Sequence, residues 1–343
     1  MLAQIRRFLN EDQKYAWMLI FVILFFAVAQ NAENTKAKPD ESAHIEILKK
    51  LDQASLENIL KQRNTLRVLF GLTMLAAFLA FVTGISLFFI FTYLFITKRM
   101  TFLPKGPFAI SAWDIWDVAR VCIIFLFAGQ ILSIIELLMS PVLKIIKDSN
   151  FRAIFNTSIM DTVVVVVILY FVILKYRRKL SALGVSFAKS FRNIISGIGG
   201  YLSLLPVLAA ALVLVNFLSN VFKYTPKPER VIALFLKEQR PLVLFYLVLL
   251  VAVIGPVAEE IFFRGFLYPA LRNKIGRPSA VAASGILFSL LHTNLSGLLP
   301  ISILGMLLAY LYERTGSLMA PVAVHILHNS ALVILIFFMR AVT

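Results

Sequence analysis

Nine apolar segments punctuate the chain: Tyr15 to Ala29, Val68 to Ile96, Val118 to Leu138, Thr157 to Leu174, Gly197 to Phe222, Leu242 to Leu271, Ser279 to Leu295, Leu298 to Tyr312 and Leu318 to Phe338. Several reach the length needed to cross about 30 Å of hydrocarbon. Lipid offers no water to peptide groups, so each segment must close its backbone hydrogen bonds internally, which selects helices over open strands. The expected fold is therefore all-α, a polytopic transmembrane bundle of about eight or nine membrane helices.

Composition enters where partners are concerned. Apolar residues make up 60% of the 343 and charged residues only 15%, which argues against a soluble fold. The net charge of +16 would suit nucleic acid, but the cations fall in short clusters between apolar runs, as at Lys175, Arg177, Arg178 and Lys179. The lipid bilayer is the simpler partner and no nucleic acid is expected. For a bacterial chain the membrane would be the inner, plasma membrane. The single cysteine, Cys122, lies inside an apolar run, which excludes a disulfide framework and a thiolate metal site.

Three regions follow from this pattern. Residues 1–64 read as an amino-terminal membrane anchor, not cleaved as a signal, plus a polar loop. Within that loop Ile45, Ile47, Leu48, Leu51, Leu56, Ile59 and Leu60 recur at helical spacing among charges, predicting an amphipathic helix over Asn31 to Asn64. Residues 65–179 read as accessory transmembrane helices and 180–343 as the core that carries the chemistry. A second amphipathic piece is expected over Leu180 to Ile195, at the membrane interface. A cytoplasmic amino terminus places the basic loops at Lys98 to Lys105, Lys175 to Arg192 and Arg272 to Arg277 inside, although the basic loop from Lys223 to Arg240 then lies outside.

Ionisable groups inside membrane helices are costly and mark functional positions. Here they gather between Glu259 and Asn329. Glu260 and Arg264 are four apart and share a helix face, whereas Glu259 points about 100° away without a local counter-ion and is suited to taking a proton from water. His292 follows Phe288 by four, near the end of the next helix. His325, His328 and Asn329 lie three and four apart, so they project from one face of the last helix. By helical rise Glu259 sits about 20 Å from Leu271, His292 about 20 Å from Ser279 and His325 about 12 Å from Leu318. In an alternating topology those ends share one side of the bilayer, so the side chains can meet near mid-membrane. The blander alternatives are glutamates that only brace a helix, a satisfied core histidine and an interhelical hydrogen-bond network.

The ordered pattern of Glu-Glu-x-x-x-Arg at Glu259, Glu260 and Arg264, Phe-x-x-x-His at Phe288 and His292, and His-x-x-x-Asn at His325 and Asn329 resembles the CPBP family. That family includes type II CAAX prenyl proteases and bacterial Abi-type, bacteriocin-processing enzymes. The stretch Gly305 to Pro321, with Arg314-Thr315-Gly316-Ser317, is similar to the family's spacer before its last motif, and the resemblance covers roughly Gly184 to Leu335. It implies an intramembrane endopeptidase acting on a peptide or protein substrate, which the membrane itself would present. Glu259 would activate water with help from His292, His325 and Asn329 would hold the oxyanion, and Glu260, Arg264 and Phe288 would support the site. The family has been described both as metalloproteases and as glutamate-dependent proteases. A divalent metal such as zinc would find its ligands in Glu259, His292 and His325, with His328 as a competitor, but no His-Glu-x-x-His helix supports this. The competing reading is a non-catalytic or proton/ion-coupled membrane protein that uses the same polar cluster.

Overall fold

The computed structural model describes residues 12–33, 64–100, 111–142, 148–187, 189–224, 230–292 and 295–342. Every apolar segment read from the sequence falls on a helix: α1 Gln13–Glu33, α2 Asn64–Ile96, α3 Ile115–Met139, α4 Asn150–Lys175, α5 Ser190–Val221, α7 Pro241–Ile275, α8 Arg277–Leu290, α9 Leu298–Thr315 and α10 Met319–Val342. A short helix, α6 Arg230–Lys237, precedes α7. Among the described residues seven helices are long and apolar enough to cross a membrane, and the protein is an integral, multi-pass helical bundle.

Helix α8 has 14 residues, which rise only about 21 Å, less than the hydrocarbon thickness, while α1 is 21 residues long and apolar over Tyr15 to Ala29. The amphipathic helix expected over Asn31 to Asn64 lies almost wholly outside the described residues. The one expected over Leu180 to Ile195 is absent as a unit: a 3-10 turn covers Leu180–Leu183, and α5 starts at Ser190 after irregular backbone.

The chain divides into two compact units, Met1–Asp40 with Ser111–Ala182, and Glu41–Ile110 with Leu183–Thr343. In the first, α1 packs on α3 and α3 on α4. Its polar centre is the buried Asp117, which completes a capping box with Asp114 and accepts from Lys175 Nζ at 2.6 Å, from Arg120 Nη1 at 2.7 Å and from the Tyr176 hydroxyl. Burial and the adjacent Asp117 carboxylate push the Tyr176 phenol above its ordinary range, which keeps it a donor.

The second unit is built around α5, which contacts α2, α9 and α10. Tyr201 and Leu208 of α5, Leu304, Leu308 and Leu311 of α9, and Ala320 and Val324 of α10 form its buried core. Pro206 cannot donate to the Leu202 carbonyl one turn earlier, and Gly84 of α2 lies against that oxygen so closely that a Cβ would meet it at 2.4 Å. Helices α8 and α9 approach as closely through Gly285 and Gly305: a Cβ on Gly285 would lie 2.7 Å from the Met306 nitrogen and 2.8 Å from the Ser302 oxygen. Gly276 and Gly316, with φ of 77° and 66°, supply the left-handed backbone that reverses the chain after α7 and after α9.

Candidate active site

Helix α7 is α-helical except over two π turns, Leu250–Ile254 and Ile261–Leu267. Pro256 explains the first. A proline ring collides with the carbonyl four residues back and brings no N–H, and a wider turn relieves both problems. The Gly255 N–H accordingly bonds the Leu250 oxygen, five residues back. Since Gly255 is spent on Leu250 and Pro256 has no N–H, the Val251 carbonyl must find a donor outside its helix. Asn329 Nδ2 of α10 supplies it at 2.9 Å.

Glu259 and Glu260 close the single α-helical stretch, Gly255–Glu260, that separates the two π turns. Glu260 has no exposed surface, and its Oε1 accepts from Arg264 Nη1 at 2.9 Å and from His325 Nδ1 at 2.9 Å. Arg264, also fully buried, sends Nη2 to the Gly305 carbonyl at 3.0 Å, and its guanidinium lies 4.6 Å from the Phe288 ring centre. The close α8–α9 crossing thus does local work, because it carries the Gly305 oxygen inward to that guanidinium. The Phe288 ring lies 5.0 Å from His292 and 5.5 Å from His325, so one aromatic side chain borders both imidazoles.

Oε2 of Glu260 is also buried without a hydrogen bond, and Glu259 differs from it in exposure and in facing the other nitrogen of His325. The Glu259 Oε2 makes no hydrogen bond, is sealed from solvent and lies 3.8 Å from His325 Nε2, while the side chain as a whole is 36% exposed. The exposure therefore belongs to the rest of the side chain, and the sealed oxygen faces the imidazole. A gap of 3.8 Å is too long for a direct hydrogen bond but keeps carboxylate and imidazole within ion-pair distance. Because a carboxylate accepts, Glu260 fixes the hydrogen of a neutral His325 ring on Nδ1 and leaves Nε2 towards Glu259. His292, in a bend two residues past the end of α8, bonds Nδ1 to the Phe288 carbonyl at 3.1 Å, which likewise leaves Nε2 for other partners.

The structure thus brings Glu259, Glu260, Arg264, Phe288, His292 and His325 into one contact network and ties Asn329 to the same helix as the glutamates. It parts His328 from them, because His328 Nδ1 pairs with the Tyr201 hydroxyl of α5 at 3.0 Å. Among the described residues no three His, Cys, Asp or Glu side chains converge as a metal-binding group, so the set Glu259, His292 and His325 is not drawn together as zinc ligands.

Sequence reasoning missed the two π turns and the Val251 acceptor. Their one visible signal was Pro256 beside the Glu pair. It also missed Glu313, buried at the end of α9, which accepts from the Tyr268 hydroxyl at 3.0 Å and Arg272 Nε at 2.9 Å and pins that end of α7. A carboxylate just past an apolar run, set against two arginines around Gly276, was the available clue.

Comparison with known proteins points to the same segment of the chain. Residues 241–331, which hold every candidate site residue, match the family model described as type II CAAX prenyl endopeptidase Rce1-like. The chain is 32% identical over 89 residues to the "Putative membrane peptidase YdiL" of Bacillus subtilis (strain 168), covering 26% of this chain and 36% of that protein. It is 31% identical over 77 residues to the "UPF0177 protein YxdF" of Lactococcus lactis subsp. lactis (strain IL1403), covering 22% of this chain and 42% of that protein. The matched stretches thus span well under two thirds of these relatives' lengths. No solved structure matches the chain. Residues 241–331, with Glu259, Glu260, His292, His325 and Asn329, are thus the part of the chain that is similar to the Rce1-like, type II CAAX prenyl endopeptidase family.

Proposed function

We propose that the protein is an intramembrane endopeptidase that hydrolyses a peptide bond of a membrane-presented peptide or protein substrate, with Glu259 activating the attacking water. The observation that carries this reading is a partly exposed Glu259 side chain whose carboxylate lies 3.8 Å from His325 Nε2 in a chain that crosses the bilayer. Amide hydrolysis needs a base for water and donors aimed at the developing negative charge. Glu259 is the base, and His292, whose Nε2 is left open, helps to hold the water. His325 and the second N–H of the Asn329 amide face the oxyanion. Glu260 and Arg264 are positioning residues, since they act on substrate only through His325 and the helix frame. For the neutral His325 ring Nε2 carries a lone pair, so donation to the oxyanion requires the doubly protonated ring, with the proton taken from water by Glu259 passing on to it. In a bacterial cell the site of action is the plasma membrane.

The test is cleavage by the purified protein in liposomes, using a panel of membrane-anchored peptides with and without a prenyl group. Cleavage lost in both Glu259→Gln and His325→Ala supports the mechanism. Cleavage that survives both removes it. Proton flux through the liposomes that depends on Glu259, without any cleavage, would instead favour the transport reading.

A further inference from the structure

A cavity of about 1620 Å³ in the second unit lies apart from the glutamates and histidines and is bordered by α2, α5, α8 and α9. It is larger than a usual small-molecule pocket and mainly apolar, with Phe88, Val207 and Met306 in its deeper part. At one end the lining includes Lys189, Arg192 and Arg314, all exposed, and among the described residues that line it there is no aspartate or glutamate. These cations share a membrane depth. Lys189 and Arg192 open α5, Arg314 closes α9, and Pro278 at the start of α8 and Phe95 at the end of α2 complete the same rim.

The dimensions identify the occupant. From Arg192 to Val207 the helix rises about 22 Å, close to half of the roughly 40–45 Å bilayer with its headgroups. The amino end of α5 adds its partial positive charge to the rim, and Lys189 at its N-cap position provides no side-chain cap. A slot one leaflet deep, greasy along its length and cationic only at the mouth, has the polarity of a phospholipid and the opposite charge at its head. Basic pockets between membrane helices bind anionic headgroups for this reason. We infer that this groove is a binding site for an anionic glycerophospholipid, with its phosphate at Lys189, Arg192 and Arg314 and an acyl chain along α5 and α9. An uncharged isoprenoid chain has no use for three cations confined to one end, and a peptide's polar backbone is poorly matched to the apolar length of the slot.

The groove can be altered in two independent ways. Lys189, Arg192 and Arg314 are exposed, so their replacement leaves the core intact. A Cβ on Gly199, which also lines the groove, would meet nothing within 4 Å, so Gly199→Phe brings a ring into the slot from a position with room for its first carbon. The full-length protein in detergent is offered equal amounts of phosphatidylglycerol and phosphatidylcholine with identical acyl chains, and the retained lipid is counted by native mass spectrometry. The expected result is a preference for phosphatidylglycerol on the order of tenfold. It should collapse to parity in the Lys189→Gln, Arg192→Gln, Arg314→Gln variant, while Gly199→Phe should lower retention of both lipids. Equal retention by the unaltered protein, or a preference that survives the triple substitution, overturns the proposal.

Discussion

Asn329 and Val251 are joined by a hydrogen bond of 2.9 Å from side-chain amide to main-chain carbonyl, between two helices 78 positions apart in sequence. The carbonyl is available only because Pro256 and the π turn before it have removed its intrahelical donor. Replacing Asn329 by leucine should leave that part-buried oxygen unpaired, at a cost of about 1 kcal/mol. A lowered midpoint in thermal unfolding of the detergent-solubilised protein checks this, and an unchanged midpoint would show that the bond contributes nothing.

Glu259 makes no hydrogen bond through its Oε2, so its side chain does little for the fold. Glu259→Gln should therefore keep the unfolding midpoint of the parent while peptide cleavage falls by roughly 10²- to 10⁴-fold, the usual worth of a general base. His325→Ala should lose activity and stability together, since it also strips a partner from the buried Glu260. Parallel unfolding and cleavage measurements separate the two behaviours.

The Glu260–Arg264 pair has no exposed surface on either side chain. Removing one member leaves the other charge buried, so Arg264→Met should cost about 3–5 kcal/mol. The double variant Glu260→Gln, Arg264→Met should recover part of that loss and still be inactive, because His325 then lacks the carboxylate that orients it. A double-mutant cycle on unfolding free energies measures the coupling, and additive losses would contradict it.

Gly285→Ala places a methyl group within 2.8 Å of the Ser302 oxygen and 2.7 Å of the Met306 nitrogen, atoms that cannot rotate away. The α8–α9 crossing should open, with a cost of about 1–3 kcal/mol. Activity should fall further than stability alone accounts for, since the Gly305 carbonyl that anchors Arg264 retreats with α9. Cleavage assayed well below the unfolding midpoint distinguishes these two contributions.

Much of this architecture was legible because lipid makes apolar length a direct readout of helix position. All nine runs became helices, and the i to i+4 spacing of Glu260 and Arg264 gave their pairing correctly. Spacing failed where the partner lay on another helix. His325, His328 and Asn329 project from adjacent positions of α10, yet they bond Glu260, Tyr201 and Val251 respectively. A helix wheel ranks residues by direction, but it does not say which neighbour stands in that direction. Nor does it register a π turn, because the wheel assumes a constant 100° per residue.

The two wide turns of α7 carry a consequence for how such a site can change. Each holds one residue more than an ordinary turn in its hydrogen-bonded loop, and an extra residue taken up in this way leaves the helix beyond it on nearly its former bearing. The same extra residue in a uniformly wound helix would swing Glu259 and Glu260 by about 100° about the axis. A wide turn thus lets the chain gain a position before Pro256 without losing the aim of the two carboxylates, and it leaves one carbonyl to be claimed by a neighbouring helix.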